Sequence, residues 1–444
     1  MKSARQVAFE ALLKIHRDGA YSNLVVDSLL KENPDMDERD KAFVCNIVYG
    51  TLDRLILIDY NLGLYLNQPV KKLKPELHTI LRMGTYQLLF MDKVPSRAAV
   101  NESVNLAKVN KSSFAASLVN AVLRRVSDNG VRLPEGGEDD PAYLAVKYSC
   151  PQWIISLWTD AYGLENAVAL AEKALEPAPV VIRVNTTKIS PDELIWKLAE
   201  EGVIAEKSNI VPEALIMSNT GSVEELEAYK QGLFHAQDIA SQLCCAALDA
   251  QEGETVFDLC SAPGGKTFTT AEKMNNTGVI RAFDIYQSRV ELIRNGAKRL
   301  SLDNVYSYLS DAAIFNENYG MADRVLCDVP CSGLGIIRRK PEIRFKNQSE
   351  INCLPEIQYR ILCNATKYLK SGGRLVYSTC TLNPKENSEI CDKFLAEHPD
   401  FSAVDVLPEL QRYSENDKYL TLMPHIHNTD GFFIAAFRKN GGEE

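Results

Sequence analysis

Two cysteines in this chain stand where a protein can do chemistry. Cys331 lies in D-V-P-C-S-G and Cys380 in S-T-C-T, and each follows a short apolar run, Arg324–Asp328 and Arg374–Ser378. A lone cysteine is usually a small buried hydrophobe, and that reading suits Cys45, Cys244, Cys245, Cys327, Cys353, Cys363 and Cys391. Directly after a strand the backbone turns outward. A thiolate there acts as a nucleophile when its pKa is lowered and a substrate can reach it. Asp328 closes the run before Cys331 and can hold or supply a proton beside it.

This combination suits addition to a pyrimidine ring. Cytosine C5 is too weak a nucleophile to take a methyl group directly. A thiolate bonded to C6 makes C5 enamine-like, and an acid at N3 stabilises the charge that develops on the ring. A base must then remove the C5 proton so that the thiol can leave, and a second cysteine can assist.

The elements that must carry these residues alternate strand and helix from about Ser241. Val256–Leu259, Val279–Asp284, Val305–Tyr308, Arg324–Asp328 and Arg374–Ser378 read as strands, with Lys266–Met274, Gln287–Leu300 and Leu354–Leu369 as helices between them. That order predicts a mostly parallel sheet with crossover helices. Gly431–Arg438 adds one more strand. The first strand runs through Pro263-Gly264-Gly265 into a helix, a turn that presents backbone N–H groups to a ligand. It is neither G-x-G-x-x-G nor G-x-x-x-x-G-K-[ST]. Asp284 ends the second strand, placed to accept ribose hydroxyls. Asp311 follows the third, placed to accept from an adenine amino group. Lone acids there are often caps; two beside a glycine loop point to an adenosine-bearing cofactor.

Residues 1–128 read as all helix, with Val7, Ala8, Ala11, Leu12 and Ile15 at helical spacing and further helices over 42–49, 52–65, 77–89, 98–109 and 113–126. Residues 129–144 form a polar, Gly- and Pro-rich linker. Residues 145–240 form a small α+β subdomain, and 241–444 hold the main sheet.

The balance of 45% hydrophobic and 24% charged residues in 444 describes two or three ordinary globular domains. Without an apolar membrane span or a signal core, the expected place is the cytoplasm. Eleven scattered cysteines imply thiols, and no Cys/His spacing suggests a metal. The net charge of −10 opposes general nucleic-acid binding. Charge is uneven, however: residues 70–125 carry ten Lys/Arg against three Asp/Glu, and Arg338, Arg339, Lys340, Arg344 and Lys346 form a second basic cluster. Either cluster is a solvated face or part of a path for a polyanion.

D-L-C-S-A-P-G-G-K-T, D-V-P-C-S-G, R-R-K-P-E-I-R-F, S-T-C-T and D-G-F-F-I-A-A-F together resemble the motif series of the Sun-type (NOL/NOP/Sun) RNA cytosine-C5 methyltransferases. The N-terminal helices resemble the NusB-like RNA-binding domain of bacterial members that methylate 16S ribosomal RNA. The resemblance covers nearly the whole chain. It implies an α/β Rossmann-like class I methyltransferase domain with a mostly parallel sheet, beside the small α+β subdomain and an all-α NusB-like domain.

It also implies S-adenosyl-L-methionine held by Cys260, Ser261, Ala262, Pro263, Gly264, Gly265, Lys266, Asp284, Asp311 and Asp328. Cys380 is then the nucleophile, Cys331 assists product release, and Asp328 reaches cytosine N3. Arg338, Arg339, Lys340 and Arg344 are expected to contact RNA. Lys266 either orients the substrate base, stabilises the glycine loop or caps a helix end. Thr381 stands where the family often has Ser, and Ser261 where Ala is common.

The expected partner is RNA, 16S rRNA before tRNA or 23S rRNA, with no DNA, no membrane and a monomeric enzyme. A DNA cytosine methyltransferase would attack with Cys331; the second cysteine and the helical module argue against it. A methyltransferase for a small molecule or protein would not need both cysteines. A silent RNA-binding assembly factor would need none of Cys331, Cys380 and Asp328.

Overall fold

Helical periodicity in the first third of the chain becomes helices at Ala4–Asp18, Ser22–Lys31, Glu38–Asp53, Leu55–Gly63, Pro75–Phe90, Ser96–Val109 and Ala116–Asn129. They enclose a core that includes Val7, Leu12, Ile47, Ile58, Ile80 and Leu123. Local chemistry marks their starts: the Ser3 side chain accepts from Gln6 N, and Pro75 occupies a first turn. The sequence suggests a break near residues 50–51, but the structure places it at Arg54. Gly50 lies inside the helix, where a Cβ would fall 2.0 Å from the Tyr86 ring.

The computed structural model describes residues 2–110, 112–415 and 417–441. Its contacts divide the chain into one unit of Met1–Pro177 with Ile337–Lys346, and a second of Ala178–Ile336 with Asn347–Glu444. The first unit takes in more than the N-terminal helices. A further helix, Pro141–Lys147, is capped by Asp140 inside the stretch read as linker. Arg132 in that stretch is held on both backbone atoms by the Asn61 side chain. Helices Gln152–Tyr162 and Leu164–Lys173, grouped by sequence with the α+β subdomain, belong to this unit too.

The second unit begins with a small antiparallel sheet of β1 (Val180–Val184), β2 (Ile204–Lys207), β3 (Ala214–Ser218) and β4 (Phe234–Ala236), in the order β2-β3-β1-β4. The main sheet follows: β5 (Thr255–Asp258), β6 (Val279–Asp284), β7 (Val305–Leu309), β8 (Ala322–Asp328), β9 (Leu369–Thr379), β10 (Phe401–Val404), β11 (Leu420–Leu422) and β12 (Phe432–Lys439). Its order is β10-β12-β9-β8-β5-β6-β7, with β11 on β12. The five strands β9-β8-β5-β6-β7 are parallel, and β12 joins antiparallel to β9 with β10 antiparallel beyond it.

The inner strands are largely apolar because both of their faces are covered, whereas the edge strand β7 leaves Tyr306 and Leu309 exposed. Val256, Leu326, Val376 and Ile434 face one core with helices Ile239–Leu248, Gly265–Lys273 and Gln287–Leu300. Their neighbours Phe257, Val325, Cys327, Tyr377 and Phe433 face the other, with Leu354–Ala365 and Ser388–Glu397. Period-two alternation thus feeds two cores. Among the described residues no helix is long and apolar enough to cross a membrane, and no group of three or more His, Cys, Asp and Glu could hold a metal ion.

Candidate active site

Five neighbouring parallel strands end on one edge, and the turns that leave them carry the polar residues picked out from sequence. After β5 the chain turns at Gly264, whose φ of +114° and close approach to the Phe268 ring exclude a side chain. Ser261 ties this loop to β6 by donating to Phe283 O from both N and Oγ, at 2.9 and 2.8 Å. Here the departure from Ala has a bonding role. Asp284 ends β6, is buried, and accepts from Tyr286 N at 3.0 Å. Asp311 lies after β7 and accepts from Ala313 N at 2.9 Å.

The loop borders a cavity of about 170 Å³ lined by Gln237, Asp238, Ser241, Asp258, Cys260–Pro263, Gly265, Lys266 and Asp328. With Ala236, Gln237, Asp238 and Ser241, Asp258 is among the lining residues that sequence reasoning passed over. Thr267 Oγ1 donates to its Oδ2 at 2.7 Å, while Oδ1 has no partner. Burial pushes this carboxyl up to about 7. Gln237 Nε2 is likewise buried and unpartnered. An acceptor without a donor and a donor without an acceptor are a pattern that the ammonium and carboxylate of an amino-acid moiety would complete. The residues fit S-adenosylmethionine. Asp258 is a fourth strand-end acid that the apolar run V-F-D-L-C hides, because that run carries the strand expected from sequence on to Leu259.

Lys266, from the first turn of the next helix, reaches Asp328 Oδ2 at 2.8 Å and Ser241 Oγ at 3.2 Å. Its ammonium also lies 5.0 Å from the centre of the Phe432 ring. Burial opposes its charge, but Asp328 together with the nearby Cys244 and Cys245 holds the lysine above its ordinary value. Ser378 Oγ donates to the other Asp328 oxygen at 2.8 Å. Lys266 is therefore a partner of the strand-end acid and not a helix cap.

The sequence-predicted cysteines meet. Cys331 Sγ lies 3.1 Å from Cys380 Sγ, across the turns after β8 and β9, and both are thiols. The hydrogen bond with Cys380, followed by burial, pushes the Cys331 thiol far above its ordinary range. Thr381 is not a passive substitute for Ser: its hydroxyl is 2.6 Å from Ser332 Oγ, which links the two turns. Sequence reasoning also missed the buried carboxylate beneath them, Glu386, which lies in a polar stretch that reads as surface.

The basic cluster does not behave as one. Arg344 is 1% exposed and pairs with Asp53 at 2.7 Å while donating to Ala174 O at 2.6 Å. This corrects its expected role as an RNA contact, because a guanidinium enclosed by protein has no face for a phosphate. Arg338, Arg339 and Lys340 are half-buried, and Lys340 lies 5.6 Å from the Tyr21 ring centre. All four belong to the first unit, whereas the glycine loop and both cysteines belong to the second.

Residues 245–438 match the family described as 16S rRNA methyltransferase RsmB/F. Residues 2–128 match the NusB family, and 150–224 the ferredoxin-like domain of RsmF/B-like methyltransferases. A probable ribosomal RNA small subunit methyltransferase B from Bacillus subtilis (strain 168) is 38% identical over 446 residues, covering 99% of each chain. This chain belongs to the RsmB/F family. A relative of the same description from Synechocystis is 34% identical over 99% of this chain and 100% of its own.

Among solved structures, PH0851 superposes with a TM-score of 0.84 at 27% identity over 98% of each chain. NSun6 from Pyrococcus horikoshii, solved with SFG, gives 0.60 at 25% identity over 66% of this chain and 99% of its own. The NusB-like, small α+β and mostly parallel-sheet parts expected from sequence correspond to the NusB, ferredoxin-like and methyltransferase parts of the RsmB/F methyltransferases.

Proposed function

We propose that this RsmB/F methyltransferase transfers a methyl group from S-adenosylmethionine to C5 of a cytosine in 16S rRNA, through a covalent bond between Cys380 Sγ and C6. The observation that carries this reading is the thiol pair 3.1 Å apart beside the Lys266–Asp328 ion pair. The relatives named as small-subunit rRNA methyltransferases support the substrate, and SFG, an S-adenosylmethionine analogue, supports the cofactor. Bound in the cavity, S-adenosylmethionine supplies an electrophilic methyl.

Gln237, Asp258, the loop from Cys260 to Lys266, Asp284, Asp311 and Asp328 are the residues that would hold the cofactor. Cys380 attacks C6 as a thiolate while Cys331, kept as a thiol, donates to it. The C5–C6 π electrons move onto C5 and the ring. Asp328 holds cytosine N3 through a proton taken up between them when the base binds, which balances the charge that develops on the ring, and Lys266 keeps that carboxyl oriented. With C5 methylated, a base takes the C5 proton, the C6–S bond breaks, and Cys331 donates to the departing sulfur. Attack by Cys331, the DNA-type arrangement, would leave the second thiol of the pair and the NusB-like module without a role. Arg338, Arg339 and Lys340 remain the proposed RNA-backbone contacts, and the target base must leave its stack to reach the thiols.

The deciding experiment expresses Cys331→Ala and Cys380→Ala in a bacterial host and looks for protein carrying covalent RNA, which is then sequenced. An adduct on Cys331→Ala alone, mapping to a 16S cytosine, is expected. An adduct on Cys380→Ala instead makes Cys331 the nucleophile. One mapping to tRNA or 23S rRNA changes the substrate.

A further inference from the structure

We infer that Glu386 is a positioning residue: its buried carboxylate sets how Cys331 and Cys380 face one another, and the covalent turnover proposed above depends on that register. A carboxylate out of water is costly unless its lone pairs are engaged. Glu386 is 0% exposed, and each of its oxygens receives two donors. Oε2 accepts from Ser332 N and from Gln358 Nε2, both at 2.9 Å. Oε1 accepts from Ser332 Oγ at 2.5 Å and from Asn383 Nδ2 at 2.9 Å.

These partners are the immediate neighbours of the two cysteines. Ser332 follows Cys331, and Gln358 Nε2 also donates to Pro330 O, just before Cys331, at 2.9 Å. One carboxylate thereby holds both sides of that turn. With its own proton on Glu386, Ser332 Oγ is left to accept from Thr381, the residue after Cys380. The Tyr377 hydroxyl, on β9 before Cys380, donates to the Glu386 carbonyl at 2.6 Å.

A crossing of loops completes the cradle: Gly335 N donates to Cys380 O at 3.0 Å, and a Cβ on Gly335 would lie 1.9 Å from Gly431 O. The two sulfurs have no covalent tie, so their spacing is set by this network. The negative charge of Glu386 also works with burial to keep Cys331 protonated.

The test uses full-length Glu386→Gln, with Ser332→Ala as a second variant that removes one hydroxyl and leaves the backbone N–H. Glu386→Gln sets an NH2 group against two of the four donors, so the turns lose register. A shift of about an ångström lowers kcat by roughly 30- to 100-fold while KM for RNA and the cofactor Kd stay within about twofold. Ser332→Ala is expected to lose kcat about tenfold in the same pattern.

A second readout needs no RNA. Diamide takes two electrons and two protons from the thiol pair, giving the Cys331–Cys380 disulfide and the reduced hydrazine, and mass spectrometry follows the bond. Its formation should slow about tenfold or more in Glu386→Gln. Equal oxidation rates with kcat within threefold of the parent would falsify the inference, and if Glu386→Gln does not fold, Ser332→Ala decides by the same criteria. Failure of the cytosine reading is separable: it shows as no RNA adduct on Cys331→Ala, whatever the diamide result.

Discussion

The glycine-loop pocket and the paired cysteine turns lie on the same edge of one sheet, yet their polar groups are arranged in opposite ways. In the pocket, Asp258 Oδ1 and Gln237 Nε2 are buried without partners, and Asp258 is pushed up to about 7. Beneath the turns, Glu386 is just as buried but accepts four hydrogen bonds. A site that binds and releases a ligand keeps groups for that ligand to satisfy. A site that must hold two sulfurs in register completes its bonds from within the protein. Lys266 and Asp328 stand between the two regions and line the pocket as well.

The sharpest way to break this comparison is to remove the nucleophile. Cys380→Ala should lower methyl transfer by about 10³-fold or more, while cofactor affinity by calorimetry stays unchanged. A loss of both together would mean that pocket and turns are one cooperative unit. Next in size is Lys266→Met at the junction, with an expected loss of about 10²-fold in transfer and weaker cofactor binding as well, measured by single-turnover methylation and calorimetry.

Asp258→Asn should weaken the cofactor about tenfold at pH 8 and hardly at all at pH 6, a difference that follows from linkage. In the free protein this carboxyl, ordinarily near 3.8, titrates at about 7. Pairing with an ammonium requires the carboxylate, so below pH 7 binding must expel a proton and the wild-type Kd rises about tenfold per pH unit. The asparagine variant should lose that slope. Without ligand the sign for stability is the opposite. The unfolded chain ionises near 3.8 and the folded one near 7, so stability conferred by the protonated form is full below 3.8 and falls as pH rises to 7. Asp258→Asn should remove that fall in urea titrations. The smallest expected effect is on amide exchange at Ser332, whose N–H is already bonded to Glu386. Saturating S-adenosylmethionine should leave exchange by local opening there unchanged, while exchange through global unfolding slows about 100-fold as overall stability rises by about 2.7 kcal/mol at 100 times Kd.

Much of this site was readable because strand, turn and helix leave local signatures. Asp284, Asp311, Asp328, Cys331 and Cys380 could each be placed at a strand end from the residues around it, and the motif series named the family. Glu386 and Arg344 could not be read so. The stretch N-P-K-E-N-S-E looks solvated, and R-R-K-P-E-I-R-F looks like a basic patch. Their roles depend on partners far away in the chain: Ser332 and Gln358 for Glu386, Asp53 and Ala174 for Arg344.

By itself, then, the amino-acid sequence determined the order of the elements, the parallel sheet, the family and which strand ends carry reactive groups, because each follows from periodicity and short motifs. Only the tertiary structure decided which charges are buried, which polar atoms are left for a ligand, and that two sulfurs 49 positions apart lie 3.1 Å from one another. Burial and hydrogen-bond pairing are properties of neighbours in space, and folding, not adjacency along the chain, chooses those neighbours.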